Sequence, residues 1–394
     1  MGGLTHLIVF VSMFAAITLI SEAQYLIPVT KDEPTKQFYT TVNIGAGGMS
    51  SPVNLLLDLG TNLTSATGLN CRKIRLLSSL HAVSCKSSTC KSIPGNGCDV
   101  TNTCLYTQPR PLGKNTAVAT GRVVQDNATI FTTQSGKPIS IAPSRRFTFS
   151  CAKYLQGMAP RIAGVVALSP GEFPFWREIA SAYNIIPKFA LCLPSSGRGL
   201  GYFYIGTHSF GGSNPVPMTL TPLKIDSGKY LVSVTSIYVD GVSLTLDPSL
   251  LEGGAQLSTV VPYTVLQTDI YNALAQSFML KAKKIGMSET TGHAPFKHCF
   301  EEGASAKNMD VSVMEIGLPG NGREVKWRFQ GANMVERVSE TVICLAFVDG
   351  GNKPNESMVI GTHQLQNYLI EFDLSTTRMA FSDPLVLHNI GCSK

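Results

Sequence analysis

Short runs of alternating or β-branched residues, each cut off by Gly, Pro, Asn or Asp, recur along almost the whole chain: Tyr39–Ile44, Val53–Leu57, Arg146–Ser150, Tyr202–Ile205, Tyr230–Val234, Ser236–Val239 and Leu369–Phe372. Strand side chains alternate between two faces, so this pattern builds sheets whose edges are turned by the intervening residues. A 3.6-residue period is confined to Phe175–Tyr183 and to Thr268–Ile285, where Ile270, Leu274 and Phe278 line one face. The chain is therefore predicted to be all-β with a few short helices. With 394 residues, 44% of them hydrophobic, it can bury one large core or two ordinary ones, which excludes disordered, fibrous and disulfide-miniature classes.

Two halves are expected. Gly206–Pro222 is rich in Gly, Pro, Ser and Asn and divides the chain near its middle. An internal echo supports the division: Thr41-Val-Asn-Ile-Gly-Ala-Gly before Leu55-Leu-Leu-Asp58 resembles Ser236-Ile-Tyr-Val-Asp-Gly-Val before Leu257-Ser258. The expected layout is a signal peptide over 1–23, a first lobe over 24–205, a linker over 206–222 and a second lobe over 223–394.

The apolar run Leu7–Ile20 followed by Ser21-Glu22-Ala23 reads as a secretory signal peptide. Its removal takes away Glu22 alone among the acids and bases, leaving the mature chain one unit more basic than the +6 of the whole. That charge is too thinly spread for nucleic acid, and it predicts weak binding to acidic wall polysaccharide. All ten cysteines (Cys71, Cys85, Cys90, Cys98, Cys104, Cys151, Cys192, Cys299, Cys344 and Cys392) lie beyond the signal, an even number suited to an oxidising compartment and to five disulfides. No C-x-x-C occurs and no His pair accompanies Cys85 and Cys90, so neither a metal nor another cofactor is expected. Asn62, Asn127 and Asn355 head glycosylation sequons.

One segment carries chemistry. Leu55-Leu-Leu-Asp58-Leu59-Gly60-Thr61 is an apolar strand ending in an acid, a Gly turn and a hydroxyl placed to hold the carboxylate. Acid-catalysed peptide hydrolysis needs two facing carboxyls that share a proton, one activating water while the other protonates the carbonyl. One carboxylate is half of that pair.

At this point the sequence resembles the plant members of the pepsin-like aspartic protease superfamily. Its landmarks stand in order: Leu57-Asp58-Leu59-Gly60, Cys85-Lys-Ser-Ser-Thr-Cys90, Ala119–Asp126, Ile162-Ala-Gly-Val-Val-Ala-Leu168, Phe189-Ala-Leu-Cys-Leu-Pro194, Thr221-Pro-Leu223 and Val359-Ile-Gly361 through to Met379-Ala-Phe-Ser382. Within that superfamily it is most similar to basic 7S globulins, extracellular dermal glycoproteins and the xylanase and endoglucanase inhibitors related to them. The resemblance implies a bilobal pepsin-like fold, an extracellular location in the plant cell wall and a damaged active site.

Three departures from the protease pattern carry that last implication. The motif D-[ST]-G-[ST] has become Asp58-Leu59-Gly60-Thr61. In the second half, counting back thirteen residues from Tyr271 lands on Ser258, so Ser258-Thr-Val-Val occupies the second catalytic segment without its acid. In the flap, Arg110-Pro111 stands where Tyr-Gly is usual. Ile225-Asp226-Ser227-Gly228 does spell D-S-G, but Asp226 follows Pro222-Leu-Lys rather than an apolar strand and reads as a surface turn. Asp58 and Ser258 are expected to survive as a hydrogen-bonded pair stapling the two halves at the base of a cleft.

The resemblance implies binding in place of turnover. Its members include inhibitors of microbial wall-degrading glycosidases, in which a His near the carboxyl end reaches between the target's two catalytic carboxylates; His388, four residues before Cys392, matches that place. The expected function is a proteolytically inactive, secreted inhibitor of microbial xylanases or endoglucanases in plant defence, with a glycoside hydrolase as protein partner. Two alternatives stand beside it: an active aspartic endopeptidase using Asp226, and a storage or peptide-binding protein of the basic 7S globulin kind.

Overall fold

The computed structural model describes residues 25–45, 50–67, 79–108, 119–134, 137–140, 144–152, 157–207, 215–302 and 311–393. The signal-peptide residues 1–23, Cys71 and the flap pair Arg110-Pro111 lie outside the described residues. Strand is the commonest secondary structure of the described residues, and the two longer helices, Phe175–Tyr183 and Thr268–Lys284, are the two that periodicity predicts.

Each half is organised around the same four-strand device. In the first, Ser51–Asp58 runs parallel to Gly164–Ala167, which pairs antiparallel with Ser65–Ala66, which in turn runs parallel to Ser144–Ala152. In the second, Ala255–Leu257 runs parallel to Met358–Ile360, which pairs antiparallel with Thr264–Leu266, which runs parallel to Phe347–Asp349. Strand order and sense agree throughout, so the two halves repeat one topology. The central strands read as apolar runs, Leu55-Leu-Leu and Val165-Val-Ala, because both their faces are covered.

A shared antiparallel sheet joins the halves. Tyr25–Asp32, Gly201–Ile205 and Lys188–Cys192 come from the first half; Leu369–Asp373, Arg378–Ser382 and Met218–Pro222 come from the second. The seam lies between Lys188–Cys192 and Leu369–Asp373, where Phe189 is opposite Phe372 and the two rings stack at 4.7 Å. Tyr230 packs on Phe372 at 4.8 Å and donates its hydroxyl to the Leu168 carbonyl across the seam, at 2.8 Å. Full burial of aromatic side chains of this size stabilises by roughly 1.5–3 kcal/mol each, so this seam is a core and not a contact between independent bodies. Two lobes of one topology on a common sheet make this an all-β, bilobal pepsin-like fold.

The interval expected to be a linker, 206–222, holds the edge strand Met218–Pro222, paired with Arg378–Ser382. A sequence rich in turn formers hides it, since an edge strand is paired on one side only and tolerates Pro at its end.

Four disulfides are formed among the described residues: Cys85–Cys98, Cys90–Cys104, Cys192–Cys392 and Cys299–Cys344. Cys151 is also disulfide-bonded. Cys192–Cys392 spans 200 residues and crosses the seam. The chain entropy removed from the unfolded state grows with the length of the closed loop, so replacing Cys192 and Cys392 together by Ser is expected to cost about 2–5 kcal/mol. Chemical denaturation monitored by Trp fluorescence checks this; an unmoved midpoint contradicts it.

Candidate functional site

Asp58 ends the strand Ser51–Asp58 and is buried. The turn that follows folds back on it: the Gly60 amide donates to Oδ1 at 2.8 Å and the Thr61 hydroxyl donates to Oδ2 at 2.5 Å. Behind Thr61 stands a buried relay, in which Ser65 Oγ donates to Gln108 Oε1 at 2.7 Å and Gln108 Nε2 donates to Thr61 Oγ1 at 2.8 Å. Every donor in the relay points toward the carboxyl. Burial pushes the Asp58 carboxyl above its ordinary value, and donation from Thr61 and Gly60 opposes it.

Ser258 follows Ala255–Leu257 as Asp58 ends its own strand, and its amide donates to the Ile360 carbonyl at 3.0 Å. Six residues beyond each, a buried Thr braces the parallel partner strand: Thr64 Oγ1 accepts from the Ala167 amide and Thr264 Oγ1 accepts from the Gly361 amide, both at 3.1 Å. The Ser258 hydroxyl accepts from the amides of Val260, at 3.3 Å, and Val261, at 3.1 Å.

The expected hydrogen bond between Asp58 and Ser258 is not among the bonds either side chain makes. The staple is the next residue, Thr259. Its hydroxyl donates to the Leu57 carbonyl at 2.8 Å and accepts from the Leu59 amide at 3.1 Å, gripping the backbone on both sides of Asp58. The signal was present in the sequence: the protease motif puts a hydroxyl residue after each acid, and Thr259 keeps it while Leu59 does not. Leu59 is buried and returns no side-chain hydrogen bond. Gln108 and Ser65 carried no comparable signal, because their register against Thr61 comes from tertiary pairing.

Asp226 lies elsewhere. It closes an exposed hairpin between Lys224–Asp226 and Lys229–Val232, opposite Lys229, with Ser227 and Gly228 both at positive φ. Asp-Ser-Gly is used there for its turn geometry. His388 is exposed at the end of the helical turn Leu385–His388, which Asn389 closes in the left-handed conformation. Leu385 is buried, Asn367 accepts from the Leu385 and Cys392 amides, and the Cys192–Cys392 bond anchors the tail. Val386, Leu387 and Ile390 stand exposed around His388. Among the described residues no cluster of His, Cys, Asp and Glu could hold a metal ion, and no helix is long and apolar enough to cross a membrane.

Two family descriptions cover both halves: "Xylanase inhibitor N-terminal" matches residues 38–207 and "Xylanase inhibitor C-terminal" matches residues 229–383. The chain belongs to the xylanase-inhibitor family. Gamma conglutin 1 of Prunus dulcis is 32% identical, covering 82% of this chain and 79% of that protein. A protein of Glycine max named probable aspartic proteinase GIP1 is 28% identical over 97% of this chain and 94% of its own. The crystal structure of EDGP superposes with a TM-score of 0.81 at 28% identity, covering 94% of this chain and 97% of the other.

In this xylanase-inhibitor-type chain the three sequons differ in setting. Asn355 is exposed and Asn127 is half-buried within the strand Ala119–Gln134. Asn62 Oδ1 accepts from Ser169 Oγ at 2.9 Å and lies under two backbone turns, where a Cβ on Gly171 or Gly228 would come within 3.2 or 3.4 Å of it. Glycopeptide mapping of protein from a secretory host is expected to find Asn355 occupied in preference to Asn62; the reverse order contradicts this.

Asp58 also gives a pH prediction. Its folded value is raised, so its contribution to stability is present below the ordinary carboxyl value of about 3.9 and is lost as pH rises through the folded titration. Asp58→Asn cannot ionise. The Tm of this variant relative to the parent is therefore expected to climb as pH is raised from about 4; a difference constant with pH contradicts it.

Proposed function

We propose that this protein is a secreted, proteolytically inactive member of its family that binds and inhibits a microbial cell-wall-degrading glycoside hydrolase. The observation that carries the reading is the loop opposite Asp58: the strand-end position equivalent to that acid holds Ser258, a hydroxyl already committed to the amides of Val260 and Val261. A neutral hydroxyl cannot take the second role in a proton-sharing pair, and losing a general acid or base costs roughly 10²–10⁴-fold in rate. Asp226, held in an exposed turn, supplies no replacement.

The target class follows from the family, whose two descriptions name xylanase inhibitors. His388 is the proposed inhibitory contact. It sits on a tail fixed by a disulfide and by Asn367, so little side-chain or backbone freedom is lost when a partner closes on it. A cationic imidazole suits the paired carboxylates of a glycosidase cleft. An extracellular, cell-wall location fits the disulfides, and weak adsorption to acidic polysaccharide fits the basic charge.

Purified protein is expected to slow at least one enzyme in a panel of fungal and oomycete xylanases and endoglucanases, and His388→Ala to weaken that inhibition by about tenfold or more. Peptide cleavage at acid pH that pepstatin blocks would overturn the inactive assignment. Absence of inhibition across the panel would overturn the inhibitor assignment.

A further inference from the structure

A cavity of about 460 Å³ opens on the second half, away from Asp58. Its floor is aliphatic: Val234 and Ile237 are buried there, and Leu244, Leu246 and Leu251 are half-buried around them. The volume falls in the range of sites that take one small organic molecule.

The polar rim has an uneven chemistry. Thr235 and Ser236 line it, and both donate their hydroxyl protons to Glu324 Oε2 at 2.5 Å, while Tyr238 donates to Oε1 at 2.8 Å. The Glu324 carboxylate reaches Ser236 only because Gly317 intervenes without a side chain; a Cβ there would collide with both groups. With their protons spent, Thr235 and Ser236 offer only lone pairs. Glu252 adds a carboxylate to the rim, Ser233 and Ser243 add hydroxyls, and among the described residues no Lys, Arg or His lines the cavity. An acceptor-rich, negatively charged rim over an aliphatic floor calls for a ligand with donors, positive charge and a short hydrocarbon body. A bare metal ion does not fit, since the lining offers a single carboxylate.

We propose that this cavity binds a small free aliphatic amine, its ammonium held at the rim by Glu252, Thr235 and Ser236 and its alkyl chain on Leu244, Leu246 and Leu251. The assignment is independent of the inhibitory role proposed for His388.

Titration of the full mature chain with 1,5-diaminopentane by calorimetry tests it, with 1,5-pentanediol as the uncharged match in length. The diamine is expected to bind saturably and the diol not to. Glu252→Gln, an exposed position that leaves the fold intact, is expected to weaken the diamine by about tenfold, as loss of a charge-assisted hydrogen bond does. Glu324→Gln, which returns donor freedom to Thr235 and Ser236, is expected to weaken it as well, and Leu246→Asn to weaken diamines more as their chains lengthen. Equal binding of diol and diamine, undiminished affinity in Glu252→Gln, or no binding at millimolar diamine overturns the proposal. So does binding of Nα-acetyl-lysine methylamide without binding of the diamine, which would assign the site to a lysine-bearing peptide.

Discussion

The hydroxyl of Thr259 makes two buried hydrogen bonds into the opposite half of the molecule, donating to Leu57 and accepting from Leu59. Those two bonds hold the strand ends together across the halves. Asp58 is desolvated by burial, and Thr61, itself held by the relay from Ser65 and Gln108, opposes that desolvation together with the Gly60 amide from within the first half. A symmetrical pair of such hydroxyls would clasp from both sides. Here Leu59 occupies the reciprocal place, so the grip is one-handed and an apolar side chain fills the volume of the other hand.

The division of labour at the two strand ends follows from hydrogen-bond inventory. A carboxylate accepts only, and Asp58 takes up an amide and a hydroxyl. A serine hydroxyl can also accept, and Ser258 takes up two amides of its own turn. Both turns are thereby satisfied, the first around a carboxylate and the second around a hydroxyl. The turn geometry therefore does not depend on an acid at both strand ends.

Much of the architecture was legible from short-range pattern. Alternating runs became strands, the two periodic segments became the two longer helices, and the strand ends at Asp58 and Ser258 take matching places in two copies of one topology. Local pattern failed where partners lie far apart in the chain. The strand Met218–Pro222 owes its existence to Arg378–Ser382, and its own residues read as a loop. Residue chemistry alone points to Asp58 and Ser258 as the interlobe staple, yet each is satisfied by donors of its own turn. The cavity beneath Leu244–Glu252 had no sequence signal at all, because its acceptor character arises from Glu324 reaching across the gap at Gly317.

The bond between Cys192 and Cys392 also decides what a nick in the chain does to the molecule. It ties Lys188–Cys192, the first-half strand at the seam, to the carboxyl tail, on either side of the interval that connects the halves. Cutting the chain anywhere between Gly206 and Pro222 therefore yields two polypeptides that still share a sheet and a covalent link. They would migrate as one species until a reductant is added.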